Sequence, residues 1–266
     1  MDLQLRGKRA IVTGGGSGIG YAIAAGLSQE GVSVAVVGRR PEPLAAAAER
    51  LREGSGNPVL AVPADTGDKE SVERMVAAVA AEFGGVDILV NVASENPAQP
   101  GGLTWEHATD DVFARQLNVK VIGYLRTARA VAPYFIAQRW GRIINVSGIG
   151  TRQTYSVVNS VRNSGVVALT KNLADELGPH GVTANVVYPG HTLSGNYRER
   201  LAGEAAERGM PLADYLATID TRNAIGRFVE PEEIAWVTTF LASPKSVTIS
   251  GDPIPVGGGF LGHIYY

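Results

Sequence analysis

The chain has no cysteine in 266 residues, so disulfides, thiolate metal sites and a cysteine nucleophile are excluded, and a cytoplasmic setting is expected. An excess of one charge is also missing. Lys and Arg number 24 against 26 Asp and Glu, a net charge of −2, which offers no electrostatic reason to expect nucleic acid or an anionic membrane as partner. No run approaches the ~18 apolar residues of a membrane span. The opening "MDLQLRGKRAIVTGGG" is charged at Asp2, Arg6, Lys8 and Arg9 and lacks the apolar segment of a secretory signal. The 4 histidines are scattered without zinc-type spacing, so no metal is expected. Present instead are 45% hydrophobic and 19% charged residues, a globular composition with ample core.

That hydrophobic content is ordered along the chain. Short β-branched runs ("RAIVT", "SVAVVG", "VLAVPAD", "VDILVN", "GRIINVS", "VTANVVYP") alternate with helical patterns such as "GIGYAIAAGLSQEG" and "DKESVERMVAAVAAEFG". Continuous apolar runs suit strands covered on both faces. The alternation predicts one α/β domain over residues 1–266, a doubly wound, Rossmann-like parallel sheet flanked by helices. One segment breaks the rhythm. From His191 to Phe228 the chain is charged and helix-prone, with no strand expected until about Thr248. Lying just after "YPG" at a strand end, it is expected to form a helical lid over the crevice where such sheets bind ligands.

"VTGGGSGIG" ends the first strand and opens the first helix. Gly14, Gly16, Gly18 and Gly20, with Ser17 and Ile19, allow a tight turn and a close approach to a pyrophosphate at the helix N-terminus. The second strand ends "VVGRR", with no acid to accept a bond from a ribose 2′-hydroxyl. Arg39, with Arg40 beside it, favours NADP(H) over NAD(H), because a cation neutralises a 2′-phosphate. Asp65 and Thr66, after the third strand, are expected to face the adenine. Asn91 and Ala93, after the fourth, are expected at the cofactor, with Asn91 pinning the neighbouring loop.

These residues carry a resemblance. "TGGGSGIG" resembles the Thr-Gly-x-x-x-Gly-x-Gly fingerprint of the short-chain dehydrogenases/reductases, and "NVAS", "LNV", "INVSG", "YPGHTLS", "GRFVEPEEIAWVTTFLAS" and "ISGDPIPVGGG" are similar to that family's later motifs, nearest its β-ketoacyl carrier protein reductase-like branch. The resemblance implies Ser147 as the residue holding the substrate oxygen, Asn118 as support for a proton path, and Pro189, Gly190 and Thr192 beside the nicotinamide. It also implies a homotetramer or homodimer, with the apolar tail "GGGFLGHIYY" at an interface.

The resemblance breaks at the proton relay. The family keeps a Tyr and, four residues later, a Lys on the helix after the Ser. Aligning "GVVALTKNLA" puts Asn159 at the Tyr position and Asn163 at the Lys position. Neither amide titrates. Asn163 retains donors and an acceptor for ribose hydroxyls, and Asn159 retains a donor for a carbonyl oxygen. Tyr155, four residues before Asn159, is one candidate replacement if the helix begins early enough to put it on the same face. His191 and Glu95 are two more. Arg198 and Arg200, in the lid, are expected to be surface charge rather than an anchor for an anionic carrier. The expected function is an NADP(H)-dependent oxidoreductase with an atypical site, acting on a small carbonyl, alcohol or enone. The alternatives are a catalytically silent NADP-binding homologue serving as sensor or partner subunit, and a non-redox isomerase or lyase.

Overall fold

A computed structural model describes residues 1–95, 104–148, 151, 154 and 156–263. The apolar runs become seven strands: β1 (Arg9–Thr13), β2 (Ser33–Gly38), β3 (Val59–Pro63), β4 (Ile88–Asn91), β5 (Gly141–Val146), β6 (Val182–Pro189) and β7 (Pro253–Val256). They form one sheet in the order β3-β2-β1-β4-β5-β6-β7, and every neighbouring pair is parallel.

Side-chain alternation assigns each strand residue to one face. Ala10 and Val12 of β1 join the core with Val34 and Val36 of β2, under helices α1 (Gly18–Gln29), α2 (Pro41–Ser55) and α9 (Pro231–Ala242). Ile11, Ala35 and Leu89 point the other way, under α3 (Lys69–Phe83), α5 (Gly123–Gln138) and α6 (Val157–Leu177). Because both faces are covered, the strands carry apolar residues without interruption. The order reverses direction between β1 and β4, so the crevice of a doubly wound sheet falls beyond their C-terminal ends.

Between α4 (Asp110–Leu117) and α5 the helix widens into a π-helical turn, Asn118–Ile122. Such turns shift the register of side chains around a helix and recur at functional sites. The 191–228 segment holds two helices, α7 (Gly195–Glu207) and α8 (Leu212–Thr218), on a small core of their own formed by Leu193, Leu201, Ala205, Tyr215 and Phe228. Thr192 and Val229 bridge at its base, and Asn223 pairs with Phe260. The final strand starts five residues later than Thr248, at Pro253, since Gly251 needs a φ of +81° that a strand residue does not adopt. Of the C-terminal tail, Ile264–Tyr266 lie outside the described residues.

Candidate functional site

At the β1–β4 switch point the glycine-rich turn is shaped by space as much as by φ. A Cβ on Gly20 would stand 2.1 Å from the Gly14 carbonyl oxygen, and one on Gly14 would stand 3.0 Å from the Ala93 nitrogen. Gly14 also needs a φ of +72°, the left-handed region that glycine enters without penalty. The turn thereby presses the start of α1 against the β4 end. Ser17 is the N-cap of α1, and its hydroxyl makes no capping bond.

Facing this turn is a cleft of about 330 Å³, lined by Gly14, Ser17, Gly18, Ile19, Gly20, Arg39, Asp65, Thr66 and Ala93 together with Glu95 and Ser194. Gly16 lies in an adjoining groove with Arg39, Arg40 and Leu44, and Thr192 lies in a third, where the lid's Tyr197 and Arg200 meet Ser17 and Gly18. Pro189 is buried at the end of β6, and the Gly190 amide donates to the Val256 carbonyl at 3.1 Å.

Asn91 has a different place. It is fully buried; its amide donates to Asn145 Oδ1 at 2.9 Å, and its Oδ1 accepts from the Thr127 hydroxyl at 2.9 Å. Asn91 reaches the β4 loop through Thr13, whose hydroxyl donates to Asn91 Oδ1 at 3.4 Å while its Oγ1 accepts from the Val92 and Ala93 amides at 3.1 and 3.3 Å. Asp65 closes its own turn, accepting from the Gly67 amide at 2.8 Å. Glu95 is spanned by two cations, Arg39 at 2.8 Å and Arg115 at 3.1 Å. Arg39 remains 59% exposed at the cleft, so its remaining donors face solvent.

Ser147 ends β5, buried, and its hydroxyl donates to the backbone oxygen of Asn163 at 3.1 Å. Asn159 and Asn163 sit one turn apart on the buried side of α6. Each has a buried Oδ1 with no hydrogen-bond partner. A buried amide oxygen without a donor costs about 1–3 kcal/mol, a cost that a ligand hydroxyl reaching it would offset. The helix begins at Val157 with Ser156 as its N-cap; Tyr155 lies outside the described residues. His191 is half-buried against Phe260, ring centroids 6.1 Å apart, and burial lowers its pKa below the usual histidine value. In the lid, Arg198 pairs with Glu230 at 2.8 Å.

Asn118 is not brought to Ser147: its amide donates to the Gly67 carbonyl at 3.1 Å and its Oδ1 accepts from Arg126 at 2.8 Å. The residue that reaches Ser147 is Lys120, two positions on, whose buried Nζ donates to the Ser147 backbone oxygen at 3.3 Å. Burial first, and the Arg162 guanidinium second, hold its pKa well below the ordinary lysine value. The only sequence signal was a lone cation inside the apolar stretch "VKVIGY".

A family profile described as enoyl-(acyl carrier protein) reductase matches residues 14–261. The short-chain reductase protein NovJ of Streptomyces niveus is 34% identical over 94% of this chain and 92% of its own length. The 3-oxoacyl-[acyl-carrier-protein] reductase FabG of Staphylococcus aureus is 33% identical over 95% of this chain and 97% of its own. The L-sorbose reductase of Gluconobacter frateurii, solved with NADPH and L-sorbose, superposes with a TM-score of 0.91 at 31% identity, over 99% of this chain and 100% of that one. With a parallel seven-stranded sheet, a glycine-shaped turn at its switch point and similarity running nearly end to end, this chain belongs to the short-chain dehydrogenase/reductase family, in its ketoacyl reductase-like branch.

Proposed function

We propose that the protein is an NADP(H)-dependent oxidoreductase with an atypical proton relay, acting on a small carbonyl, alcohol or enone. The observation that carries the cofactor choice is Arg39: a cation stands at the end of β2 on the lip of the cleft, paired across it with Glu95 at 2.8 Å. A 2′-phosphate there exchanges one anionic partner for another with more charge and three acceptor oxygens, whereas an unmodified ribose has nothing to displace Glu95.

The residues present fit the cofactor. The glycines let the turn pack on itself and on the β4 end where a Cβ would collide, the N-terminus of α1 at the cleft would hold a pyrophosphate, and the unspent Asn163 Oδ1 accepts from a ribose hydroxyl. NADPH, when bound, supplies a hydride. The chain's own part is to hold the substrate: Ser147 Oγ turns from the Asn163 carbonyl to the substrate oxygen, and the Asn159 amide donates to that oxygen as its charge develops. Assembly as a homodimer or homotetramer belongs to this reading, and Trp236 and Val247, 68% and 60% exposed, are apolar surface of the kind that self-association covers.

Isothermal titration tests the cofactor choice. NADPH is expected to bind at least about tenfold tighter than NADH, since a charge-assisted bond contributes about 1.5–3 kcal/mol. Arg39→Ala is expected to remove that preference while sparing NADH affinity. Equal affinities in the parent protein defeat the NADP(H) assignment. Oxidation of bound NADPH with a panel of small ketones and enones then separates the reductase from a cofactor-holding protein without turnover.

A further inference from the structure

Neither asparagine of α6 titrates, and the buried amine of Lys120 is bonded to the Ser147 backbone. We infer that Lys120 supplies and recovers the proton of this site, its ammonium protonating the substrate oxygen held at Ser147; the inference rests on the reductase reading above. Nζ spends one of its three donors on the Ser147 carbonyl. The Ser147 hydroxyl is bonded to the backbone oxygen of Asn163, and one turn earlier on the buried side of α6 Asn159 has an Oδ1 without a donor. Ser147 is held at its backbone oxygen by a donor with hydrogens to spare and at its hydroxyl by the helix that carries the open Asn159 acceptor. An oxygen that both accepts and donates, such as an alcohol or a water next to it, satisfies that set; an apolar ligand does not.

The other titratable groups around the π-helical turn are committed elsewhere. From α6, Arg162 donates to the Glu95 carbonyl at 2.9 Å and to Gln116, and its charge acts on Lys120 by repulsion. From α5, Tyr124 donates to the Val146 carbonyl at 3.1 Å, with its phenol pushed far up by burial; Arg126 is bonded to the Thr66 and Asn118 carbonyls and the Asn118 amide oxygen. From α4, Arg115 is paired with Glu95. No carboxylate among the described residues pairs with Lys120. Its ammonium is therefore a stronger acid than a surface lysine, closer to the ambient pH at which proton transfer is most effective.

The step balances. The carbonyl carbon accepts a hydride from the reduced nicotinamide, the C=O π pair moves to oxygen, and that oxygen takes H⁺ from Nζ. An N–H bond breaks, an O–H bond forms, and the resulting amine is reprotonated from water. The sign follows: reduction needs the ammonium and slows as pH rises through the lowered pKa, while alcohol oxidation needs the amine and speeds up.

Two measurements on the 266-residue chain decide the matter. In the first, ¹⁵N NMR of lysine side chains, with Lys120 assigned by its loss in Lys120→Met, follows Nζ against pH with and without NADP⁺. Titration below the range of the surface lysines is expected; titration together with them overturns the inference, whatever the activity. In the second, NADPH-dependent reduction of ethyl acetoacetate is compared in the parent, Lys120→Met and Lys120→Arg. Arginine keeps the cation and a donor to Ser147 but does not release a proton at these pH values. Both variants are expected to bind NADPH within about twofold of the parent and to lose about 10²–10⁴-fold in kcat, with the high-pH fall of the parent profile gone. An active parent with an equally active Lys120→Arg overturns the Lys120 role alone. A parent that reduces neither this keto ester nor the panel of ketones and enones removes the reductase reading and this role with it.

Discussion

At position 163 the proposed relay has an amide, and its surroundings say what a cation there would meet. Ser147 is already flanked by Lys120, and Arg162 lies close enough to depress the Lys120 pKa. A second lysine at 163 adds a third cation to a buried region where, among the described residues, no carboxylate pairs with Lys120. Asn163→Lys is therefore expected to destabilise the fold by about 1–3 kcal/mol, the cost of leaving a buried polar group uncompensated, measured as a lower urea midpoint at unchanged m-value. Asn163→Lys with Lys120→Met removes the conflict and is expected to recover most of that loss. The glycines, Arg39 and Ser147 were legible in the sequence because each is tied to a strand end that apolar patterning locates within a residue. Lys120 was not. Two residues along a helix differ by about 200° around its axis, so Asn118 and Lys120 face opposite ways. Which of them meets Ser147 depends on the π-helical turn, and nothing in the hydrophobic periodicity marks a π-helical turn.

At the scale of elements, α9 shows how the lid is tied down. Glu233 accepts from the Glu230 amide at 2.9 Å, closing a capping box with the Glu230 side chain, and pairs with Arg227 at 2.7 Å at the lid's last turn. Arg227 first, and the backbone bond second, hold the Glu233 carboxyl down at about 2. A depressed folded value means that the stabilisation is present above the ordinary glutamate pKa and is lost as pH falls from there toward 2. Glu233→Ala is expected to cost about 1 kcal/mol at neutral pH, in line with the loss of a helix cap, and little once the pH reaches about 2, the folded value; urea melts at the two pH values measure the difference. The "EPEE" that opens α9 shows this in the sequence, as an acid followed by proline and a second acid three residues on. The lid was legible as a break in strand rhythm, but its internal core was not, since Leu201, Tyr215 and Phe228 come from separate turns that no single period connects.

At the scale of the whole molecule, binding and protonation act on the same folding equilibrium. A cofactor held only by the folded state, at a hundred times its dissociation constant, adds about 2.7 kcal/mol, or about 5–10 °C in Tm for a chain of this size. NADPH is expected to give that shift in the parent and a smaller one in Arg39→Ala. Lys120 acts in the opposite direction. Its folded pKa lies below its unfolded one, so the unfolded chain binds the extra proton and stability rises with pH between the two values. The stability available above the ordinary lysine pKa is lost progressively as pH falls toward the folded value, and below that the deficit is constant. Lys120→Met abolishes the difference. It is expected to melt higher than the parent at pH 7, by an increment that shrinks as pH approaches 10, while being the slower catalyst at pH 7. Scanning both proteins by calorimetry at pH 6, 7, 8 and 9 checks the sign. A parent whose Tm follows that of Lys120→Met in parallel across this range has a lysine that titrates alike folded and unfolded, and then the buried amine is neither a cost to the fold nor a proton source for the site.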